Sequence, residues 1–191
     1  MTIDTEPKTN SPSSVFRLPC VAPWVKRGHL LFWPIFIAGV ALDLWSKNAV
    51  FNWLADSPQH GFTVIEGFLR LQLAENPGAA FGIAAGQRIL LVAVSIVALA
   101  IVFSVFLFAA THRKIVNVAL ALFAAGVCGN LYDRLFNNGL VRDFIDVAYW
   151  PGKHWPAFNV ADSLLCIAVG LLILSSFSTR QSSQKRAQPQ K

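Results

Sequence analysis

Two carboxylates of the chain occupy positions that suit general acid–base catalysis. Asp143 lies in the segment Val-Arg-Asp-Phe-Ile-Asp, and Asp162 opens an apolar run after Phe-Asn-Val-Ala. Both belong to segments that should meet where two predicted membrane helices approach each other. Such a pair hydrolyses a peptide bond when one ionised carboxylate draws a proton from water and the other, protonated, donates to the carbonyl oxygen. Carboxylates ~3 Å apart share one proton and so have separated apparent pKa values.

Two further polar clusters have both a plain and a functional interpretation. Asp43 and Lys47 are spaced i, i+4 and share a helix face, which predicts an ion pair. That pair either fixes helix packing or contacts a substrate. Asn76 precedes Pro77 and Gly78, a turn sequence. The turn alone explains these residues, although an Asn amide in such a loop also suits a hydrogen bond to a peptide backbone.

The remaining clusters lie at predicted helix ends. Asn130, Asp133 and Arg134 are spaced i, i+3, i+4 and share one face. Snorkelling explains Arg134 but not the other two. Asn159 suits a helix N-cap with Asp162 in the first turn, so capping alone explains both. Charge in or beside a membrane span is costly and by default functional, and all the clusters together favour a functional site.

The composition indicates that lipid is the solvent of most of the chain. Of its 191 residues, 54% are hydrophobic and 14% are charged, whereas a soluble domain carries about 25% charged residues. A helix needs ~20 apolar residues to cross the hydrocarbon core, and in lipid each run must satisfy its own backbone hydrogen bonds as a helix. Four runs are long enough, at about residues 30–50, 89–110, 115–135 and 158–177.

Lysine and arginine predict the orientation of these four spans. Basic residues precede span one, join spans two and three, and follow span four. All of them fall on one side, which should be the cytoplasm, with both termini inside. The loops at about residues 51–88 and 136–157 then face outward. Every polar cluster described above maps to the outer half of the bundle. The net charge of +6 therefore indicates anionic lipid rather than nucleic acid.

The first outer loop contains the pattern of a small sheet. Leu69, Leu71 and Leu73 alternate with polar residues, which is the period of a strand with one apolar face. The segment 62–65 is its expected partner. The second outer loop is aromatic and rich in turn residues, as suits a headgroup region. The chain is thus predicted to have a disordered cytoplasmic N-terminus (1–23), a four-span membrane domain (24–178) and a polar, disordered cytoplasmic tail (179–191).

With these residues in place, the chain resembles the lipoprotein signal peptidase family, also called signal peptidase II. The resemblance runs from about Asp43 to Ser163. Its blocks occur in the order DLWSK, NPGAAFG, AGVCGNLYDR, VRDFID and FNVADS. Each block is weak alone, but five in order on four spans with this topology are specific.

The resemblance implies a fold and a function. The fold is an all-α membrane protein, a four-transmembrane-helix bundle with a small β-sheet cradle on the periplasmic side of the bacterial inner membrane. The reaction is aspartic endopeptidase cleavage of a prolipoprotein, on the amino side of a lipobox cysteine that carries a diacylglyceryl group. Asp143 and Asp162 would be the catalytic dyad. Residues that bind substrate or support the site would be Asp43, Lys47, Asn76, Gly78, Asn130, Asp133, Arg134 and Asn159.

The chain departs from the family pattern at two positions. Arg142 stands where an apolar residue often precedes the first catalytic aspartate, and it would lower the pKa of Asp143 if it approached. Cys128 replaces a small or aliphatic residue.

A transporter or channel subunit is the main rival function, but a proton path needs carboxylates at several depths. No HExxH or GxSxG motif is present. We expect no metal, no cofactor, no disulfide and a monomer that contacts membrane lipid.

Overall fold

The computed structural model describes residues 23–57, 60–78, 84–108 and 113–187, with side chains described from residue 28 to residue 177 of these ranges. The expectations for residues 1–22, for residues 79–82 of the NPGAAFG block and for residues 188–191 lie outside the described part of the chain.

Four helices form the body of the protein. They are α1 (Pro23–Ala55), α2 (Arg88–Phe108), α3 (Lys114–Phe136) and α4 (Val160–Ala187). Each contains a segment long and apolar enough to cross a membrane, which confirms the four predicted runs. The first and last helices, α1 and α4, are longer than expected. α1 begins at Pro23, and the backbone of α4 continues to Ala187. The segment after residue 178 was expected to be disordered, but its Gln, Lys and Arg residues have good helix propensity and extend the helix.

A four-stranded antiparallel sheet lies at one end of the bundle. Its strands are β1 (Gly61–Ile65), β2 (Leu69–Asn76), β3 (Val141–Trp150) and β4 (Lys153–His154), in the order β1-β2-β3-β4. The predicted β1–β2 hairpin is confirmed, and its turn uses Gly67 at a φ of 71°. β3 was not predicted, because its segment was read as part of a turn-rich loop. A register shift between Leu71 and Ala74 bends β2 where it pairs with β3.

Helix α3 occupies the centre of the bundle and packs against α1, α2 and α4. Its buried face is built largely from small residues, namely Ala119, Ala121, Ala124, Ala125, Gly126 and Gly129. Small residues let helix backbones approach closely in lipid, where association depends on packing and hydrogen bonds. A Cβ atom at Gly129 would overlap the carboxylate of Asp43 and lie 3.3 Å from the Cβ of Ala161. Gly129 is therefore what allows α1 and α4 to meet beside α3.

The bundle has an apolar half and a polar half. The buried hydrophobic cluster is centred on Phe32, whose ring stacks on that of Phe106 at 3.9 Å between centroids. It also contains Leu120 and Ala124, in the first half of α3. Apart from Asn117 and Ser175, the buried polar side chains of the helices lie instead toward the C-terminal ends of α1 and α3, and buried Asn159 lies just before α4. The polar clusters of the sequence are thus gathered at one end of the bundle, next to the sheet.

The close approach at Gly129 predicts a large effect of a single methyl group. We expect Gly129→Ala to lower the melting temperature of the detergent-solubilised protein, by a loss of about 1–3 kcal/mol in stability from overpacking. Gly170→Ala is the matched control, because a Cβ atom at Gly170 meets nothing within 4 Å. That variant should melt at or slightly above the wild-type temperature, since Ala favours helix over Gly. Equal melting of both variants would contradict the packing argument.

Candidate active site

Asp143 is held by two asparagine side chains. It lies on β3, where its side chain is 2% exposed. The Asn159 Nδ2 atom donates to its Oδ1 at 2.7 Å, and the Asn76 Nδ2 atom donates to its Oδ2 at 3.1 Å. Both carboxyl oxygens are therefore oriented by neutral donors, one from the start of α4 and one from the end of β2.

Asp162 lies in the first turn of α4 and takes part in a reciprocal cap. The backbone N–H of Asp162 donates to Asn159 Oδ1 at 3.0 Å, and the backbone N–H of Asn159 donates to Asp162 Oδ2 at 3.2 Å. The capping interpretation is therefore confirmed. Capping does not use the whole carboxylate, however, because Asp162 Oδ1 accepts a hydrogen bond from Asn130 Nδ2 at 2.8 Å.

Asn130 and Asn159 join the two carboxylates into one unit. Asn159 is fully buried, and its Nδ2 atom also donates to Asn130 Oδ1 at 3.1 Å. The Asn130 amide thus accepts from Asn159 and donates to Asp162, while the Asn159 amide donates to Asp143. Each asparagine has its orientation fixed by both of its polar atoms. A shift of either carboxylate must therefore disturb an amide that is hydrogen-bonded to the amide binding the other carboxylate.

A buried ion-pair cluster contacts this unit on the side away from the cavity. Lys47 Nζ lies 2.8 Å from Asp43 Oδ2 and 3.2 Å from Asp133 Oδ2, and all three side chains are 0% exposed. The same ammonium donates to Asn130 Oδ1 at 3.0 Å. Asp43 Oδ1 accepts from the backbone N–H of Ala161 at 2.8 Å. The predicted Asp43–Lys47 pair is confirmed, and it links α1 to α3 and to the start of α4.

Asn76, Gly78 and Arg134 form the opposite side of the site. Asn76 Oδ1 accepts from the backbone N–H of Gly78 at 2.9 Å, so the amide makes the predicted turn and also binds Asp143. Arg134 Nη2 donates to the Gly78 carbonyl oxygen at 2.9 Å, and Nη1 donates to the Asn130 carbonyl oxygen at 3.3 Å. The buried Arg134 Nε atom has no hydrogen-bond partner. The guanidinium therefore ties the Asn76 turn to α3.

Arg142 does not approach Asp143 as considered from the sequence. Adjacent residues of a strand point to opposite faces, and the Arg142 guanidinium instead contacts Asp133, at 2.7 Å from Nη2 and 3.1 Å from Nε to Oδ1. Asp133 consequently pairs with Lys47 and Arg142.

A cavity of about 890 Å³ opens beside the carboxylate pair. Its polar lining includes Asn76, Asn130, Arg134, Asp143 and Asp162. Asp43, Lys47, Asp133 and Asn159 do not line it, so in this geometry they support the lining residues from behind. Within residues 23–57, 60–78, 84–108 and 113–187, no group of three or more His, Cys, Asp or Glu side chains is placed to hold a metal ion.

The apolar wall of the cavity was not predicted from the sequence. It includes Trp155, Phe158 and Ile167, together with Ser163 and Cys166 from α4. A signal for the α4 part was present, because Cys166 follows Asp162 at i+4 and must share its helix face. The aromatic residues of the loop gave no such signal, since their position depends on the pairing of β3 with neighbouring segments.

Burial and the second carboxylate change the acidity of Asp143. Removal from water raises the pKa of Asp143 to about 7, and the nearby negative charge of Asp162 contributes in the same direction. The hydrogen bonds from Asn76 and Asn159 and the charge of Lys47 oppose this rise. Near neutral pH, Asp143 can therefore hold a proton and donate it, which an ordinary surface aspartate cannot do.

Asp146, three residues after Asp143, belongs to a different environment. It is 4% exposed, and its Oδ1 lies 2.8 Å from His154 Nδ1 on β4. Residues three apart on a strand face opposite sides, so Asp146 points away from the cavity. Asp143, unlike Asp146, lines the cavity together with Asp162.

The fold and the site define a membrane-embedded protein with a coupled pair of aspartates beside a largely apolar cavity. A family model described as signal peptidase (SPase) II matches residues 35–178. The chain is 38% identical over 181 residues to a lipoprotein signal peptidase of Rhodopirellula baltica, covering 83% of this chain and 80% of that protein. It is 43% identical over 151 residues to one of Geobacter sulfurreducens, covering 78% and 92%.

Solved structures agree with this relationship. A structure described as a bacterial membrane enzyme matches with a TM-score of 0.71 and 31% identity, covering 87% of this chain and 95% of that one. A second with the same description matches with a TM-score of 0.64 and 32% identity, covering 78% and 92%. The chain therefore belongs to the signal peptidase II family, a family of peptidases, and is a multi-pass bacterial membrane protein.

The environment of Asp143 predicts a titration near neutrality. The protonated carboxyl band in pH-difference infrared spectra should disappear between about pH 6 and pH 8, around the pKa of about 7, and should be missing from Asp143→Asn. Asn76→Ala removes a donor to the charged form and should raise the midpoint, whereas Asp162→Asn removes a negative charge and should lower it, each by up to about 1 pH unit. Shifts of the same sign in both variants would contradict this account.

Proposed function

We propose that the chain is an aspartic endopeptidase that removes signal peptides from prolipoproteins, by cleavage on the amino side of a cysteine that carries a diacylglyceryl group. The observation that carries this proposal is the pairing of Asp143 with Asp162 through the amides of Asn159 and Asn130. Lipoprotein signal peptidase is also the name of the relatives from Rhodopirellula baltica and Geobacter sulfurreducens.

The two carboxylates differ in the way that acid–base hydrolysis requires. Asp143 is buried and has a pKa raised to about 7, so it is the proton donor. Asp162 is partly exposed at the N-terminus of α4, where the helix dipole favours negative charge, so it is the base. Asp162 takes a proton from water as the oxygen attacks the scissile carbonyl carbon, and Asp143 protonates the carbonyl oxygen. When the C–N bond breaks, the proton on Asp162 passes to the departing amine, and a hydroxyl group of the tetrahedral intermediate returns a proton to Asp143 as the carboxyl product forms.

The charges around the dyad favour a single shared proton. The network joined by ion pairs and hydrogen bonds contains four carboxylates and three cations, namely Asp43, Asp133, Asp143 and Asp162 with Lys47, Arg134 and Arg142. Fully ionised, it would carry one net negative charge in a medium that penalises charge. One proton on the dyad makes the network neutral.

The cavity has features that suit a lipidated peptide. Arg134 and the backbone of Gly78 supply polar groups beside the dyad, and Trp155, Phe158 and Ile167 supply apolar surface. A diacylglyceryl chain gains ~0.8 kcal/mol for each CH₂ group buried in the bilayer. That energy holds the adjoining peptide at the depth of the carboxylates. The lipid then acts as an anchor that brings the scissile bond to Asp143 and Asp162.

We further propose an inner-membrane topology with both termini in the cytoplasm and with the sheet and the dyad at the periplasmic face. The basic residues near the N-terminus of α1, at the α2–α3 connection and near the C-terminus of α4 support it. The fold supports it as well, because every member of the polar network lies at the end of the bundle opposite Phe32 and Phe106.

The topology predicts the activity of reporter fusions. A reporter that is active only in the periplasm should be inactive when it is fused after Arg180, because four spans return the chain to the cytoplasm. The same reporter inserted near Gly152 should be active, since that turn joins β3 to β4 beside the sheet. The reverse pattern would put the dyad on the wrong side of the membrane for a secreted substrate.

The reaction predicts that Asp143 and Asp162 act as one unit. An amide can neither accept the proton from water nor deliver one as an acid does. Asp143→Asn and Asp162→Asn should therefore each lower kcat by at least about 10³-fold, and the double variant should be scarcely slower than either, because groups that act as a unit are not additive. The measurement is cleavage of a lipobox peptide with a diacylglyceryl-modified cysteine by each purified, folded variant.

Two controls keep this test specific. Asp146→Asn retains the acceptor for His154 on the other face of β3 and should keep most of the wild-type activity. An otherwise identical peptide without lipid should be cut much more slowly than the lipidated one. Robust turnover by folded Asp143→Asn or Asp162→Asn would end the dyad proposal. Loss of activity at Asp146 with retention at Asp143 would assign the chemistry to the other carboxylate.

A further inference from the structure

Arg142 donates three hydrogen bonds to one buried carboxylate. Its backbone N–H donates to Asp133 Oδ2 at 3.0 Å, and its Nε and Nη2 atoms donate to Asp133 Oδ1 at 3.1 and 2.7 Å. Asp133 is 0% exposed, and the Arg142 side chain is 15% exposed. The start of β3, one residue before Asp143, is thereby bound to α3 through both the backbone and the side chain of Arg142.

The charge of Arg142 matters because Lys47 is shared. The Lys47 ammonium lies within 3.2 Å of Asp133 and 2.8 Å of Asp43, so without Arg142 one buried cation would face two buried carboxylates. An unbalanced charge at such a site is strongly unfavourable. Arg142 supplies the second positive charge. Lys47 can then remain on Asp43 while it also donates to Asn130.

Both carboxylates of the dyad are connected to Arg142 through neutral amides. On one side, Lys47 donates to Asn130 Oδ1 at 3.0 Å, which leaves Asn130 Nδ2 directed to Asp162. On the other side, the Arg142 carbonyl oxygen accepts from Asn159 Nδ2 at 3.3 Å, and the same Nδ2 atom donates to Asp143. A change at Arg142 therefore alters the two amides that orient the dyad. It need not touch the cavity, because Arg142 does not line it.

We propose that Arg142 is a positioning residue for the reaction, which neutralises Asp133 so that Lys47 and Asn130 hold Asp162, and which fixes β3 so that Asn159 holds Asp143. This role rests on the proposed peptidase function. It also accounts for a residue that departs from the apolar pattern expected at this position.

The test compares kcat and KM for the lipidated lipobox peptide. Arg142→Met keeps the length of the side chain and removes the charge, and it should lower kcat about 10- to 100-fold, since small misplacements of reacting groups are costly. KM should change by less than about threefold, because the cavity lining is intact. Arg142→Lys should recover part of kcat, since an ammonium keeps the charge but not the two-pronged contact.

The decisive variant is Arg142→Met combined with Asp133→Asn. Without the Asp133 charge, Lys47 has Asp43 as its one contacting carboxylate and can keep its hydrogen bond to Asn130. The double variant should therefore have a higher kcat than Arg142→Met alone. Asn48→Ala is the matched control. It removes the other hydrogen-bond partner of the Arg142 guanidinium and leaves the contact with Asp133. Asn48→Ala should keep the wild-type kcat.

Each result bears on a different claim. A double variant as slow as Arg142→Met or slower, or a raised KM with an unchanged kcat, would overturn the positioning role. Should Arg142→Met fail to fold, Arg142→Lys decides, with a lowered kcat at unchanged KM in favour and a wild-type kcat against. Wild-type cleavage with no effect at Arg142 would overturn this inference alone. A folded wild-type chain that cuts neither peptide would overturn the proposed function as well.

Discussion

The buried ammonium of Lys47 is the interaction on which the polar end of the bundle depends. A lysine at this depth in a membrane protein needs compensating partners, and Lys47 has Asp43 on its own helix and Asp133 and Asn130 on α3. Asp43 in turn accepts from the backbone of α4 at Ala161. Three helices therefore meet around one charge. Gly129 leaves the space that this meeting requires.

Neutral amides connect that charge cluster to the carboxylates at the cavity. Three asparagines orient the carboxylates without adding charge, namely Asn76, Asn130 and Asn159. The Nδ2 atom of each donates to a carboxylate oxygen. Their Oδ1 atoms accept from neutral N–H groups, with one exception. The exception is the Lys47–Asn130 contact, which joins the two parts of the network. This division keeps the balanced ions away from the cavity. Asp143 and Asp162 line the cavity together with Arg134 and Glu75.

The sheet contributes as much to the site as the helices. β3 carries Asp143 toward the cavity and, on its other face, Arg142 toward Asp133 and Asp146 toward His154. β2 ends at Asn76, whose amide reaches Asp143 across the β2–β3 pairing. A period of two thus separates groups that face the cavity from groups that anchor the strand. Helices alone would not bring residues 76 and 143 together.

Local patterns in the sequence predict the four spans, the β1–β2 hairpin and the polar clusters, because hydrophobic length, strand alternation and i, i+4 spacing are local properties. The sequence also predicted the Asp43–Lys47 pair and the cap at Asn159, which depend on one helix each. β3 was missed because polar residues occur on both of its faces, which hides the alternation, although its Val, Ile, Phe and aromatic content favours a strand. The partners of Asp133 and Arg142, the joining of the carboxylates by Asn130 and Asn159, and the apolar cavity wall follow only from the three-dimensional packing. Each of these contacts joins residues from different elements, and no spacing along the chain encodes them.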